Sequence, residues 1–130
     1  MQLITFKDDV TAAQWNSNFV WSPVVAIVME LAVKAWTKWH KTIVITSIYR
    51  DVDPAGVHNQ WRAIDVRNAN FSHEQAIQLA NEINQWCMYD PARPNMKACI
   101  TWELDPEGNH NDHFHCQCHI NSRFEEAANA

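Results

Sequence analysis

Histidines are concentrated near the end of this 130-residue chain, in segment 108–119, which holds four of the seven histidines and two of the four cysteines. From His113 onward polar and apolar residues alternate, and the side chains of a β-strand point to opposite faces with period two. We predict a strand with these two faces: His113, His115, Gln117 and His119 on one, and Phe114, Cys116, Cys118 and Ile120 on the other.

Two histidines on one strand face lie about 6.5–7 Å apart at the backbone. Both imidazoles can then reach one metal ion, or one can bind the ion while the other transfers protons. The alternative interpretation is a polar, solvated strand face whose histidines have ordinary hydrogen-bond partners. The density of histidines favours a site.

Two further residues complete a metal-binding set. His58 and Asp65 are seven residues apart across the entry to a predicted strand, and His115 lies on a strand that could be its neighbour. Two histidines and one carboxylate are typical of catalytic zinc, which keeps an open position for water beside three protein ligands. Zinc lowers the pKa of that water towards about 7, a nearby carboxylate or imidazole can carry its proton, and an arginine can stabilise an oxyanion.

The elements that must position these residues are short. Periodicity predicts a strand at Leu3–Phe6, a helix capped by Ser22 with Pro23 at its first position, and a central strand at Thr42–Tyr49. Next we predict a strand that ends near Arg67 and a helix that begins with a Ser72 and Gln75 capping box. A strand at 97–102 and a turn at 105–108 follow.

We predict an α+β fold: one small domain, 1–130, with helices packed on one face of an antiparallel sheet and a zinc site on the other. The strands around Asp65, Thr101 and His115 are expected to be antiparallel neighbours. Residues 125–130 are expected to form a disordered tail.

Composition excludes several classes of protein. The net charge of -5 argues against a nucleic-acid partner bound through a broad basic surface. The N-terminal residues do not resemble a signal peptide, and the longest apolar stretch is interrupted by Glu30 and Lys34, so no membrane insertion is expected.

Without a signal peptide, the four cysteines are expected to be reduced thiols, with Cys116 and Cys118 in the core. A structural zinc held by all four cysteines is the competing interpretation, but the sequence lacks paired CxxC motifs.

Three segments in order resemble the LAS-type zinc peptidases, a group that includes D-Ala-D-Ala carboxypeptidases, phage L-alanyl-D-glutamate endopeptidases and murein endopeptidases. That group carries Ser-x-Tyr-Arg, then Ser-x-His-x-x-Gly-x-Ala-x-Asp, then a late Asp-x-x-His or His-x-His. The matching segments here are Ser47–Arg50, Gly56–Asp65 and Asp112–His115. Gly56 replaces the usual serine and Trp61 the usual glycine.

The resemblance implies a role for each matched residue. His58, Asp65 and His115 would bind one zinc ion per chain, and Arg50 would bind substrate and polarise the scissile carbonyl. Asp112 matches the catalytic carboxylate and His113 the first histidine of His-x-His. A regular strand places Asp112 on the face opposite His115, so Asp112 needs a bulge or a strand start just after it, whereas His113 does not. We favour Asp112 as the general base, with His113 assisting in the transition state.

The function implied is a metallopeptidase that cuts the peptide stem or cross-link of peptidoglycan, acting as a monomer. A phage lysin, made in the cytoplasm and released to the cell wall or carried in a virion, is the expected setting. Two alternatives stay open: a non-catalytic binding module that keeps the zinc, as in hedgehog signalling domains, and a structural virion protein. A fourth protein ligand, such as His113 or Cys118, would favour the structural alternative. Neither the bond cut nor the choice between endopeptidase and carboxypeptidase follows from the sequence.

Overall fold

The computed structural model describes residues 2–54, 56–102 and 113–125, which form a single small α+β domain. The helices are α1 (Asp9–Trp15), α2 (Ser22–Trp39) and α3 (His73–Trp86), with a 3-10 turn at His58–Gln60. The strands are β1 (Ile4–Phe6), β2 (Ile43–Ser47), β3 (Ala63–Arg67), β4 (Cys87–Met88), β5 (Cys99–Trp102), β6 (His113–Gln117) and β7 (Arg123–Phe124). Within the described ranges, no helix has the length and apolar content that a membrane span requires.

Five strands form the main sheet, in the order β1-β2-β3-β6-β5. Strands β2, β3, β6 and β5 pair antiparallel, which confirms the predicted neighbours around Asp65, His115 and Thr101. Strand β1 pairs parallel to β2, so the sheet is mostly rather than wholly antiparallel. The predicted central strand at Thr42–Tyr49 is β2, which is paired on both sides, and β3, with four consecutive buried residues, holds the middle position.

The core lies between this sheet and two helices. Helix α2 contacts β6 and β3, and α3 contacts β5 and α2. Val24, Ile27, Val28 and Leu31 of α2 and Leu79 and Ile83 of α3 are fully buried with Ile64, Val66 and Phe114 of the sheet. Burial of this apolar surface is the main stabilising contribution to the fold.

The two long helices begin differently. At α3 the predicted capping box is present, with the side chains of Ser72 and Gln75 each accepting from the other's backbone N–H. At α2 the N-cap is Trp21 rather than the predicted Ser22, and no side chain caps the helix. Pro23 lies in the first turn of α2, where its missing N–H has no helical partner to lose.

Strand β6 confirms most of the predicted alternation. Phe114, Cys116 and Cys118 are buried on the core side, as expected. Ile120 was assigned to the same face, but it is 79% exposed because the strand ends at Gln117 and the alternation ends with it. The predicted turn at 105–108 and, except for Glu125, the predicted tail at 125–130 lie outside the described residues.

All four cysteines are free and buried, as predicted. Cys99 lies opposite Cys116 in the register of β5 and β6. Burial raises the pKa of Cys87 to about 12 and that of Cys118 to about 11, because a thiolate is poorly solvated in the core. These thiols therefore behave as small apolar residues.

Strand β5 lies at one edge of the sheet, and a side chain of α3 occupies its outer side. The Asn84 amide donates from Nδ2 to the Cys99 carbonyl at 2.8 Å, and Asn84 Oδ1 accepts from the Cys99 N–H at 2.9 Å. One amide thus pairs both backbone groups of Cys99.

Candidate metal centre

The centre begins with a cross-strand pair. Asp65 of β3 and His115 of β6 are direct register partners, and His115 Nδ1 lies 3.2 Å from Asp65 Oδ1. Asp65 also pairs with Ser47, next to a register shift in β2 between Ile45 and Ser47. Such an irregularity adds a residue to one strand and redirects the chain beyond it. Here that chain continues into Ile48 and Arg50, which both reach the centre.

His58 lies outside the sheet, in the 3-10 turn that precedes β3. The Asp53 carboxylate holds the start of this turn, since Asp53 Oδ2 accepts from the N–H groups of Val57 at 3.1 Å and His58 at 2.6 Å. The side chain of His58 is fully buried, and its Nε2 lies 3.3 Å from Asp65 Oδ1. Two strands and one turn therefore direct three ligand side chains at one point.

These three side chains form a group that could hold a metal ion. One ligand atom from each of His58, Asp65 and His115 lies within 4.8 Å of the other two. Among the described residues, no other histidine, cysteine, aspartate or glutamate side chains form such a group, so the four-cysteine site is wrong. The three predicted ligands thus lie close together, although they come from three separate parts of the chain.

The hydrogen bonds of His58 indicate which nitrogen faces the centre. His58 Nδ1 lies 2.8 Å from the Ile48 carbonyl oxygen, which only accepts, so Nδ1 carries the proton. Neutral His58 then presents an unprotonated Nε2 towards Asp65, and this buried atom has no hydrogen-bond partner. Buried polar atoms are nearly always paired, so an orphaned lone pair beside a carboxylate fits a missing cation. Two imidazole nitrogens and one carboxylate oxygen are also the donors that zinc prefers.

Asp65 is held as a carboxylate. Burial alone would raise its pKa, but the imidazoles of His115, His58 and His113 around the carboxylate favour its ionised form and outweigh burial. The net result is a pKa well below the ordinary value for aspartate. A carboxylate that stays ionised is the form that binds a metal ion.

Two further predicted residues lie beside the ligands. A guanidinium nitrogen of Arg50 lies 3.8 Å from Asp65 Oδ2, and the Arg50 side chain is 48% exposed. His113 Nε2 lies 3.9 Å from Asp65 Oδ1, and its side chain is 23% exposed. Both are close enough to act on a molecule at the centre, and both reach solvent. Asp112, the other base candidate, lies outside the described residues.

The possible fourth ligands do not join the group. His113 lies next to the centre but outside the set of mutually close ligand atoms. Cys118 is buried on the core side, where its sulfur is engaged with the backbone of Val24. Within the described residues the centre therefore offers three candidate ligands.

Trp61 adopts an unusual backbone conformation next to the centre. Its φ of 61° and ψ of 27° lie in the left-handed region, where a non-glycine residue costs about 1–2 kcal/mol. Glycine would adopt this conformation without that cost. The Trp61 ring stacks on Tyr49 with centroids 4.7 Å apart and contacts Phe19 at 5.3 Å. These ring contacts offset part of the backbone cost.

Sequence reasoning missed three contributors to the centre: the Asp53 carboxylate, the Ile48 carbonyl and the Gln117 amide. Asp53 carried a signal, because aspartate before Pro54 is typical of a turn in which the side chain accepts backbone N–H groups. The Ile48 carbonyl carried none, since any residue has one. Gln117 was placed on the histidine face but was given no role.

Searches of protein-family models, of curated proteins and of solved structures found no match to this chain. The resemblance to LAS-type peptidases stays a prediction.

Proposed function

We propose that this protein is a zinc-dependent peptidase that hydrolyses an amide bond in the peptide stem or cross-link of peptidoglycan. The observation that carries the proposal is the convergence of His58, Asp65 and His115, with an unprotonated, unpartnered His58 nitrogen aimed at an ionised carboxylate. When bound in a site of three protein ligands, zinc supplies Lewis acidity and a water nucleophile near neutral pH.

The chain's own residues supply the remaining chemistry. Arg50 places a permanent positive charge 3.8 Å from Asp65, where it can bind a substrate carbonyl and stabilise negative charge on its oxygen. His113 can donate a hydrogen bond to the same charge or carry a proton. In the LAS pattern the base is the carboxylate that Asp112 matches. We assign that role to Asp112, with His113 assisting.

The segment Ser47–Arg50 supports the peptidase assignment from the geometry. It matches the first LAS motif, and it makes two contacts at the centre: the Ile48 carbonyl bonds to His58 Nδ1, and Arg50 lies against Asp65. A purely structural metal site needs ligands but no partly exposed arginine beside them. The peptidoglycan substrate and the phage lysin setting come from the resemblance.

The decisive experiment combines metal analysis with product analysis. The purified chain is loaded with Zn²⁺, its metal content is measured, and purified peptidoglycan is digested with it and analysed by mass spectrometry. We expect about one zinc per chain and fragments whose masses identify one cleaved amide bond, which also distinguishes an endopeptidase from a carboxypeptidase. Protein stripped of metal is the control and should release no fragments.

The other outcomes separate the alternatives. Stoichiometric zinc without any released fragment would favour the non-catalytic binding or virion module. Absence of zinc binding would contradict the metal centre itself.

A further inference from the structure

Gln117 is the polar side chain of β6 that the peptidase pattern does not use. It follows His115 by two residues on the same strand face and lies opposite Ala63, whose small side chain leaves room beside it. Gln117 is buried, and its Oε1 lies 3.1 Å from His115 Nε2. Its Nε2 donates to the Lys97 carbonyl at 2.8 Å.

These two contacts fix the orientation of the Gln117 amide. The Lys97 carbonyl only accepts hydrogen bonds, so the amide NH₂ must face it and Oε1 must face His115. The reversed amide would place two carbonyl oxygens against each other. Because Oε1 also only accepts, His115 bonds to it through a proton on Nε2. Nδ1 lies 3.2 Å from Asp65 Oδ1 and is the nitrogen that a metal ion held by Asp65 would bind.

We propose that Gln117 is a positioning residue of the metal centre, which holds the ring and the proton of His115 so that Nδ1 faces the ion. The inference rests on the metal-binding part of the proposed function. Gln117 would do for His115 what the Ile48 carbonyl does for His58. Partners that hold the second nitrogen of a histidine ligand orient the ring and raise its basicity, and their loss costs about 10–100-fold in metal affinity.

The test compares three substitutions by Zn²⁺ affinity, measured by competition with a chromophoric chelator, and by free energy of unfolding. Gln117→Met keeps the length of the side chain and removes the acceptor. Gln117→Glu keeps an acceptor towards His115 Nε2. Gln75→Met is the matched control, because it makes the same change at the capping box of α3, a purely structural role.

Gln117→Met should weaken Zn²⁺ binding about 10–100-fold. Gln117→Glu keeps the acceptor but sets its second oxygen against the Lys97 carbonyl, so it should weaken binding less than Gln117→Met. Gln75→Met should lose stability without weakening zinc binding. Equal affinity in wild type and Gln117→Met would overturn the role of Gln117 while leaving the zinc site intact. Equal weakening in both methionine variants would also overturn it. A wild-type chain that binds no zinc would contradict the proposed function together with this inference.

A measurement on the unmutated protein tests the same point if a variant does not fold. Long-range ¹H–¹⁵N NMR spectra of the Zn²⁺-loaded chain should show His115 with its proton on Nε2 and with Nδ1 as the metal-bound nitrogen. Zinc bound through Nε2 would contradict the proposal.

Discussion

The two faces of strands β3 and β6 are made from alternating residues, yet they are organised differently. On the core face Ile64, Val66, Phe114 and Cys116 are fully buried, and the apolar side chains pack against helices. On the other face Asp65 and the neighbouring His58 are buried as well, but three polar groups meet there with at least one lone pair unpartnered. Burial without a partner is costly for a polar atom. The comparison indicates that the first face stabilises the fold, whereas the second carries a group of side chains that could hold a metal ion.

The largest expected effect is loss of metal from the face of β3 and β6 that carries Asp65 and His115, which we call the site face. His115→Ala should reduce bound zinc from about one per chain to a small fraction, because two remaining ligands hold zinc poorly. Metal analysis after dialysis checks this, with His73→Ala, at the exposed start of α3, as the matched control. Full zinc occupancy in His115→Ala would contradict the ligand assignment and remove the distinction between the two faces.

The next effect is loss of activity with retention of metal. Asp112→Ala and His113→Ala should each keep zinc and lose most peptidase activity, since a general base typically contributes about 10²–10⁴-fold and weaker charge stabilisation accounts for His113. Activity on peptidoglycan and zinc content are measured on the same samples. Loss of zinc in His113→Ala would show a fourth protein ligand and count against the peptidase.

The pH dependence of kcat/KM distinguishes the two base candidates. If Asp112 is the base, its carboxylate should produce an acidic limb that disappears in Asp112→Ala and survives in His113→Ala. The reverse pattern would make His113 the base and Asp112 an orienting residue. Either pattern keeps the catalytic chemistry on the site face.

A substitution on the core face should lower the stability of the fold more than a substitution on the site face does. Phe114 is fully buried and contacts Phe71 edge to face, with centroids 5.8 Å apart. Phe114→Ala should lower the free energy of unfolding by about 3–5 kcal/mol. The metal-free His115→Ala protein should differ from wild type by only about 1 kcal/mol, the contribution of a typical hydrogen bond. Similar losses in both variants, measured by urea denaturation, would show that the two faces contribute alike to stability.

The smallest expected effect is the acid sensitivity of the metal-free protein. The pKa of Asp65 is lowered in the folded state, so its ionised form contributes stability above the unfolded value of about 3.9. That contribution is lost as the pH falls through the lower folded pKa. The advantage of wild type over Asp65→Asn should therefore be larger at pH 5 than at pH 2. An advantage that grows towards low pH would contradict the assignment of Asp65 as a stabilised carboxylate.

The sequence predicts the two faces well because both depend on local alternation. Period two placed Phe114 and Cys116 in the core and His115 on the site face, and the alternation failed only where β6 ends, at Ile120. The ligand set was predicted from residue chemistry and from the resemblance. Its convergence required the register of Asp65 with His115, which depends on strand pairing across fifty positions of sequence.

Contacts made by backbone groups were beyond sequence reasoning. The Ile48 carbonyl sets the proton of His58, and the Lys97 carbonyl sets the orientation of Gln117. Neither depends on the identity of the residue that supplies the carbonyl, so no residue type signals it. The parallel pairing of β1 was missed for a related reason, because a strand of three residues has too little pattern to indicate direction.

The Asn84 amide at the outer side of β5 has a consequence for self-association. Exposed strand edges invite another chain to add a strand, and such pairing begins aggregation. At Cys99 the backbone donor and acceptor are already bonded by Asn84, as they would be by a neighbouring strand. Helix α3 thereby blocks strand addition at this position of the β5 edge, through a side chain that imitates a neighbouring strand.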